Sequence, residues 1–300
     1  MSLPEDVLEK YRRAGKMARE VREDMKQSVR EGAPIIEVCE KAEELIRQKG
    51  GHPAFPCNVS INEVAAHYTS PPNDKHVIPP NSLVKVDVGV HLEGYIADTA
   101  VTVCFCPELE NLVRTAEEAL KTAIKTIRAK ISTPKLGSAI QKTIQAYGCK
   151  PISNLTGHQV GRYLIHTGKS IPNISHLMGA KIRQDDVLAI EPFVTVTRAA
   201  GKVKNGQDTT IFRFVKRKSI EDPYAKRLLN HIEANFRTLP FSERWLKDIV
   251  PTENHSSAFR ELLHSRCVIS YPVFIEASGN PVAQAEHTVL VQENGCEVLT

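Results

Sequence analysis

Absences narrow the sequence first. No stretch approaches the ~18 consecutive apolar residues of a membrane-crossing helix. The opening run Met1-Ser2-Leu3-Pro4-Glu5-Asp6 turns charged too early for an apolar signal segment, which predicts a cytoplasmic protein with no membrane partner. The seven cysteines, an odd number, contain no C-x-x-C pair, and Cys104 and Cys106 stand too close along one strand to bridge. Neither a disulfide framework nor a cysteine zinc site is expected, and all seven read as reduced thiols. The nucleophile elbow G-x-S-x-G is missing, as is the phosphate loop G-x-x-x-x-G-K-[ST]. Gly157 and Gly161 are too few for a dinucleotide fingerprint.

What is present is ordinary in bulk. Of 300 residues, 41% are apolar and 25% charged, which excludes wholesale disorder, collagen and coiled-coil rods. The length allows one large domain or two. The net charge of +4 is unevenly spread. Residues 202–270 hold 13 Lys/Arg against 8 Asp/Glu, net +5, which leaves the remainder near −1. Such a segment suits a solvated helical surface or contact with an anionic partner, and the solvated surface is the simpler reading.

Residues 2–31 read as one helix. Ser2-Leu3-Pro4-Glu5 has the form of a capping box, and Val7, Tyr11, Ala14, Ala18, Val21 and Met25 recur at steps of three and four. A second amphipathic helix is expected over 35–48, closed by Gly50-Gly51. Residues 83–103 read as a β-hairpin turning near His91 to Gly94. Helices are expected over 109–131 and 133–148, a Gly- and His-rich loop over 155–167, and one strongly apolar strand over 187–197. Residues 202–270 are more charged, with helical patterns near 221–236, 242–248 and 255–266. Strand patterns return over 268–275, 282–286 and 287–292. The simplest account is a helical insert in a mixed α/β body, its three short helices forming a helix-turn-helix-like unit.

Asp87 and Asp98 both sit in apolar strand sequence, where a carboxylate is costly to bury unless it is paired or metal-bound. A two- or four-residue turn between them puts Asp87 opposite Asp98, or diagonal to it on the same face. Two ionised carboxylates so close repel, and a multivalent cation resolves the conflict. Three further residues share this character. His158 lies in Gly157-His158-Gln159-Val160-Gly161, Glu191 interrupts Val187-Leu188-Ala189-Ile190, and Glu286 interrupts Val282-Ala283-Gln284-Ala285. Four carboxylates and one imidazole make an oxygen-rich set that favours Mn, Fe or Co, with Zn also open. Each residue alone has a bland alternative, an edge-strand carboxylate or a packed histidine. The combination is what points to a metal.

These motifs resemble the methionine aminopeptidases. The resemblance runs through Lys85-Val86-Asp87-Val88-Gly89, Ile96-Ala97-Asp98-Thr99-Ala100, Gly157-His158, Ile190-Glu191-Pro192, Gln284-Ala285-Glu286-His287-Thr288 and Asn62 to Thr69. The insert between Glu191 and Glu286 resembles the type II branch, and the absence of a long N-terminal extension resembles its archaeal members. The family implies an α+β pita-bread fold, two pseudo-symmetric halves around a dinuclear centre. Residues 1–197 and 271–300 then form the catalytic domain, and 198–270 a winged-helix-like insert. The resemblance further implies two divalent ions, with Asp87 bidentate on one, Asp98 and Glu286 bridging, and His158 and Glu191 completing the second. Glu191 would also shuttle the proton. His67 and His166 would bind the substrate backbone and steady the oxyanion, while Phe55 and Tyr271 would wall the methionine pocket. The other histidines carry no such context, and His287 should face away from Glu286 across its strand.

The implied activity is removal of the initiator methionine from nascent chains with a small second residue. A monomer is the expected state. Ribosome contact through the basic insert is left open, and no DNA partner is expected. Two rival readings remain at this point, a prolidase-like peptidase and a non-catalytic scaffold that binds ribosome or RNA.

Overall fold

The computed structural model describes residues 3–300. Helix α1 spans Glu5–Ser28 and buries Tyr11, Ala14, Ala18, Val21 and Met25 of the predicted stripe, with Val7 half-buried. Ser2 of the expected capping box lies outside the described residues. Helix α2, Ile35–Gln48, has the predicted bounds, and Gly50 just beyond it takes a φ of 83°. Helix α2 packs against the strands His52–Pro53 and Asn58–Ile61, and α1 lies beside it on the adjoining hairpin of Leu83–Leu92 and Tyr95–Cys104. Its turn residues Glu93 and Gly94 have φ of 49° and 90°, the geometry whose twist matches the flanking strands. Alternation then sorts the first hairpin strand. Val84, Val86, Val88 and Val90 enter the apolar cluster beneath α1 and α2, which turns Lys85, Asp87 and Gly89 to the other face.

A second half repeats the plan. Helices α3, Glu110–Thr126, and α4, Thr133–Ala146, pack Leu112, Ala116, Leu120, Leu136, Ile140 and Ile144 against Ile190, Val194, Val289 and Val291. These belong to two antiparallel sheets. One orders Val282–Gln284, Phe193–Val196 and Cys149–Pro151. The other runs Gly295–Val298, His287–Gln292, Val187–Ile190, Thr156–Gln159 and Ser170–Pro172. Threonine hydroxyls stitch the halves together. Thr288 Oγ1 accepts from Asp98 N and donates to Asp98 O, both at 2.8 Å. Thr102 Oγ1 does the same for Gln284 at 2.9 and 2.7 Å, and Thr99 Oγ1 donates to Glu286 O at 2.8 Å.

Several expectations are corrected. The loop expected over 155–167 begins as the strand Thr156–Gln159, because its backbone pairs with neighbours on both sides. The single strand expected over 187–197 is two, Val187–Ile190 and Phe193–Val196, in different sheets. Pro192 lacks the N–H a continuous ladder needs, and Glu191 sits at the break. Helix α3 stops at Thr126, where Ile127 turns extended to enter the core.

The insert is less helical than expected. Within 202–270 only α5, Pro223–Phe236, and α6, Thr252–His264, are α-helices, and 242–248 holds one 3-10 turn, Glu243–Leu246. A twelve-residue strand, Val203–Phe214, pairs with Val268–Glu276 and Pro240–Ser242. Phe212, Leu228, Ile232, Phe241, Phe259 and Leu262 belong to an apolar cluster of this segment's own. A buried ion pair ties it to α2: Arg244 Nη2 lies 2.8 Å from Glu43 Oε1, and Trp245 Nε1 donates to Glu43 Oε2 at 2.7 Å. No helix among the described residues is long and apolar enough to cross a membrane.

Candidate active site and metal centre

The two halves and the insert meet at a cavity of about 510 Å³. All nine residues singled out in the sequence line it: Phe55, His67, Asp87, Asp98, His158, His166, Glu191, Tyr271 and Glu286. The hairpin takes the diagonal of its two allowed registers. Asp98 faces Gly89, and Asp87, paired with Ala100, stands on the same face one step away. Glu286 is brought beside Asp98 by its backbone, whose N–H donates to Ala100 O at 3.2 Å. His158 reaches across from the second half. Its Nε2 is 3.4 Å from Glu191 Oε1 and 3.6 Å from Asp98 Oδ2. Ligand atoms of Asp98, His158 and Glu286 all lie within 4.8 Å of one another.

The electrostatics are those of an acid cluster short of cations. Asp98 and Glu286 are 3% and 2% exposed. Burial, and then the charges of Asp87 and Glu191, push the Asp98 carboxyl well above its ordinary range. Glu286 is raised the same way, by burial and then by Asp98, Glu191 and Asp87. Glu191 rises through burial and Asp87. Burial lifts Asp87 to about 7, against hydrogen bonds to Asp98 and Gln284. His158 is held neutral, its pKa lowered to about 3 by burial and then by His166. Asp87 Oδ1, Asp98 Oδ1 and His158 Nδ1 are buried without a hydrogen-bond partner. Orphaned acceptors among mutually repelling carboxylates fit a bound divalent cation, which would satisfy the lone pairs and reverse the repulsion.

The remaining predicted residues ring this floor. His67 adopts a left-handed backbone, φ 65°, uncommon for a residue with a Cβ. Its ring packs 4.5 Å from Phe274 and 5.9 Å from Tyr271, and its Nδ1 is buried without a partner. Burial, and then His166, lower its pKa to about 4. The His166 ring stands edge-on to His158 at 4.2 Å. Phe55 is buried over Gly89, where any Cβ would come within 2.2 Å of the ring. His287 faces away, its Nδ1 2.8 Å from Arg22 Nη1 and 3.0 Å from Thr300 Oγ1. None of the other seven histidines enters the wall.

Sequence reasoning missed four contributors. Gln284 Nε2 donates to Glu286 Oε2 at 3.2 Å, and its signal was a polar residue two steps before Glu286 on an apolar strand. Asn58 is paired with Asp87 across the sheet and leaves its Oδ1 unanswered. Phe274 supports His67. Arg213 lies on the strand that the charged composition concealed.

Comparison with known proteins agrees with this geometry. The model of metallopeptidase family M24 matches residues 9–293. A methionine aminopeptidase of Methanothermobacter thermautotrophicus is 44% identical over 98% of this chain and 99% of its own. The crystal structure of methionine aminopeptidase from Thermotoga maritima superposes with TM-score 0.71 at 25% identity, covering 100% of this chain and 98% of that one. A thermophilic Arx1 shares the fold at TM-score 0.83 and 21% identity, covering 99% and 91%. With this fold, this acid cluster and these full-length relatives, the chain belongs to metallopeptidase family M24 and is a metallo-aminopeptidase that uses a divalent metal.

Proposed function

We propose that the protein removes the N-terminal methionine from peptides and nascent chains whose second residue is small. The carrying observation is the cavity floor, where four carboxylates and His158 converge with Asp87 Oδ1, Asp98 Oδ1 and His158 Nδ1 buried and unanswered. The full-length relatives named methionine aminopeptidase point the same way.

Asp87, Asp98, His158, Glu191 and Glu286 would hold two divalent ions, drawn from Co, Mn, Fe and Zn. When bound there, such ions supply an activated water near neutral pH and polarise the scissile carbonyl. This chain's own side chains do the rest. Glu191, set at the break between two strands with Oε1 3.4 Å from His158 Nε2, would take a proton from the attacking water and return it to the leaving amine. His67, kept neutral by burial, can donate one ring N–H to the substrate carbonyl as negative charge develops. His166, edge-on to His158, would do the same. Phe55 and Tyr271 wall the side-chain pocket.

Residues 198–270 act in this reading as a subdomain that completes one wall, and 1–197 with 271–300 as the catalytic body. Its working context is a cytoplasmic monomer acting on emerging N-termini, with the basic insert available to a ribosome. The test is methionine release from Met-Ala-Ser and Met-Leu-Ser by chelator-treated protein, with and without added Mn or Co. Metal-dependent release from the first peptide alone is expected. Folded protein that releases nothing with any metal overturns the proposal.

A further inference from the structure

Among the lining residues, one carries a permanent positive charge. Arg213 lies on the strand Val203–Phe214, where alternation divides the side chains. Phe212 and Phe214 pack into the insert's apolar cluster, while Ile211 and Arg213 face the cavity. Arg22 and Arg244, the other deeply set arginines, have carboxylate partners in Glu23 and Glu43. Among the described residues Arg213 has no carboxylate within 4.0 Å, and its Nε is buried with no hydrogen-bond partner. A guanidinium drawn partly out of water with an N–H unanswered is costly. A ligand carboxylate would answer it with a charge-assisted, two-pronged bond.

The register says which part of a substrate would arrive there. Ile211 is paired with Tyr271, whose ring packs on His67. Arg213 stands two residues further along, about 6.8 Å at the rise of an antiparallel strand. That direction leads toward Thr238 and Leu164, lining residues that are exposed. An extended peptide repeats its side chains on one face with the same two-residue step. With the methionine side chain against Tyr271, the side chain of the third residue falls beside Arg213.

We infer that Arg213 is a specificity residue that selects peptides with Asp or Glu in the third position. This rests on the aminopeptidase reading above and adds a substrate class to it. The floor would then hold the reacting end of the peptide while Arg213 on the wall reads the charge of its third side chain.

The experiment compares Met-Ala-Glu-Ser, Met-Ala-Gln-Ser and Met-Ala-Lys-Ser on the Mn-loaded full chain and on Arg213→Met. The native protein should favour Glu over Gln by about 10-fold in kcat/KM, through KM, as one charged hydrogen bond predicts. The advantage should shrink in high salt. Arg213→Met should level the three peptides while still cleaving the Gln peptide. Calorimetric binding of the same peptides reads the preference independently of turnover, so loss of all cleavage would count against the aminopeptidase reading and not against Arg213. Equal binding of Glu and Gln peptides by the native protein overturns the inference. So does an Arg213→Met variant that weakens all three equally, which would make Arg213 a support for the wall.

Discussion

At the scale of single residues the site holds groups in states they would not choose alone. His67 carries a side chain on a left-handed backbone and buries an unanswered ring nitrogen. Such strain at a cavity wall fixes a ring where substrate must meet it. Relieving it should separate stability from function. His67→Gly should be more stable than His67→Ala by about 1 kcal/mol, since only glycine takes that φ freely, while both lose most turnover. Urea unfolding and methionine release check the two halves of that prediction. His158→Ala should weaken Mn binding in calorimetry and abolish most activity with little change in the unfolding midpoint of chelated protein. Glu191→Gln should cut kcat far more than KM, and an effect confined to KM would refute the proton-transfer role. Glu191 and the other acids were legible in the sequence because a carboxylate inside an apolar strand is expensive and needs a reason, whereas His67 was named only through the resemblance. Arg213 was not legible. Its segment was read as part of a charged, helical insert, and only the structure shows a strand there that turns Arg213 to the cavity.

At the scale of elements the decisive features are breaks and stitches. A proline at 192 divides one apolar run between two sheets and leaves Glu191 at the gap. The run itself was plain in the sequence, but its division depends on pairing partners far along the chain, Thr156–Gln159 on one side and Val282–Gln284 on the other. The strand Val203–Phe214 was hidden for a related reason. Its first half, Lys204 to Asp208, is polar and mostly exposed, and pairing supplies what composition does not. Helices α1 and α2 were readable because their stripes are local. The threonine stitches invite a direct test. Thr288→Val keeps the shape but strips both Asp98 N and Asp98 O of their partner. It should cost about 2 kcal/mol in chelated protein and lower metal affinity about 10-fold by freeing Asp98 to drift. Denaturant titration reads the first and calorimetry the second.

At the scale of the whole molecule, metal and proton compete for the same buried acids. Asp87, Asp98, Glu191 and Glu286 all have folded-state pKa values above those of the unfolded chain. Below an ordinary carboxylate pKa both states are protonated and nothing is lost. As pH rises, the unfolded chain ionises first, and the chelated fold carries a growing penalty, complete for Asp87 once pH passes about 7. A bound cation removes that penalty. The gain in Tm on adding Mn should therefore be larger at pH 8 than at pH 5.5, as scanning calorimetry at both pH values would show. Buried neutral His91, pKa lowered to about 4 by burial and then by His52, opposes this trend. It contributes stability that is lost below pH 6.5 as the unfolded chain takes up protons. That contribution is common to both metal states, so the difference in Tm cancels it.

The insert's separate apolar cluster has a consequence for how such an enzyme changes over time. The acids belong to the hairpin and to the strands of the second half, but Ile211, Arg213 and Pro240 hang from the insert. Its interior packs largely on itself and is fastened to α2 through Arg244 and Glu43. Mutations within it can redraw which peptides are welcome without disturbing the groups that perform hydrolysis. Taste and chemistry are thus inherited on different pieces of one chain, and a lineage can revise the first while the second stays fixed.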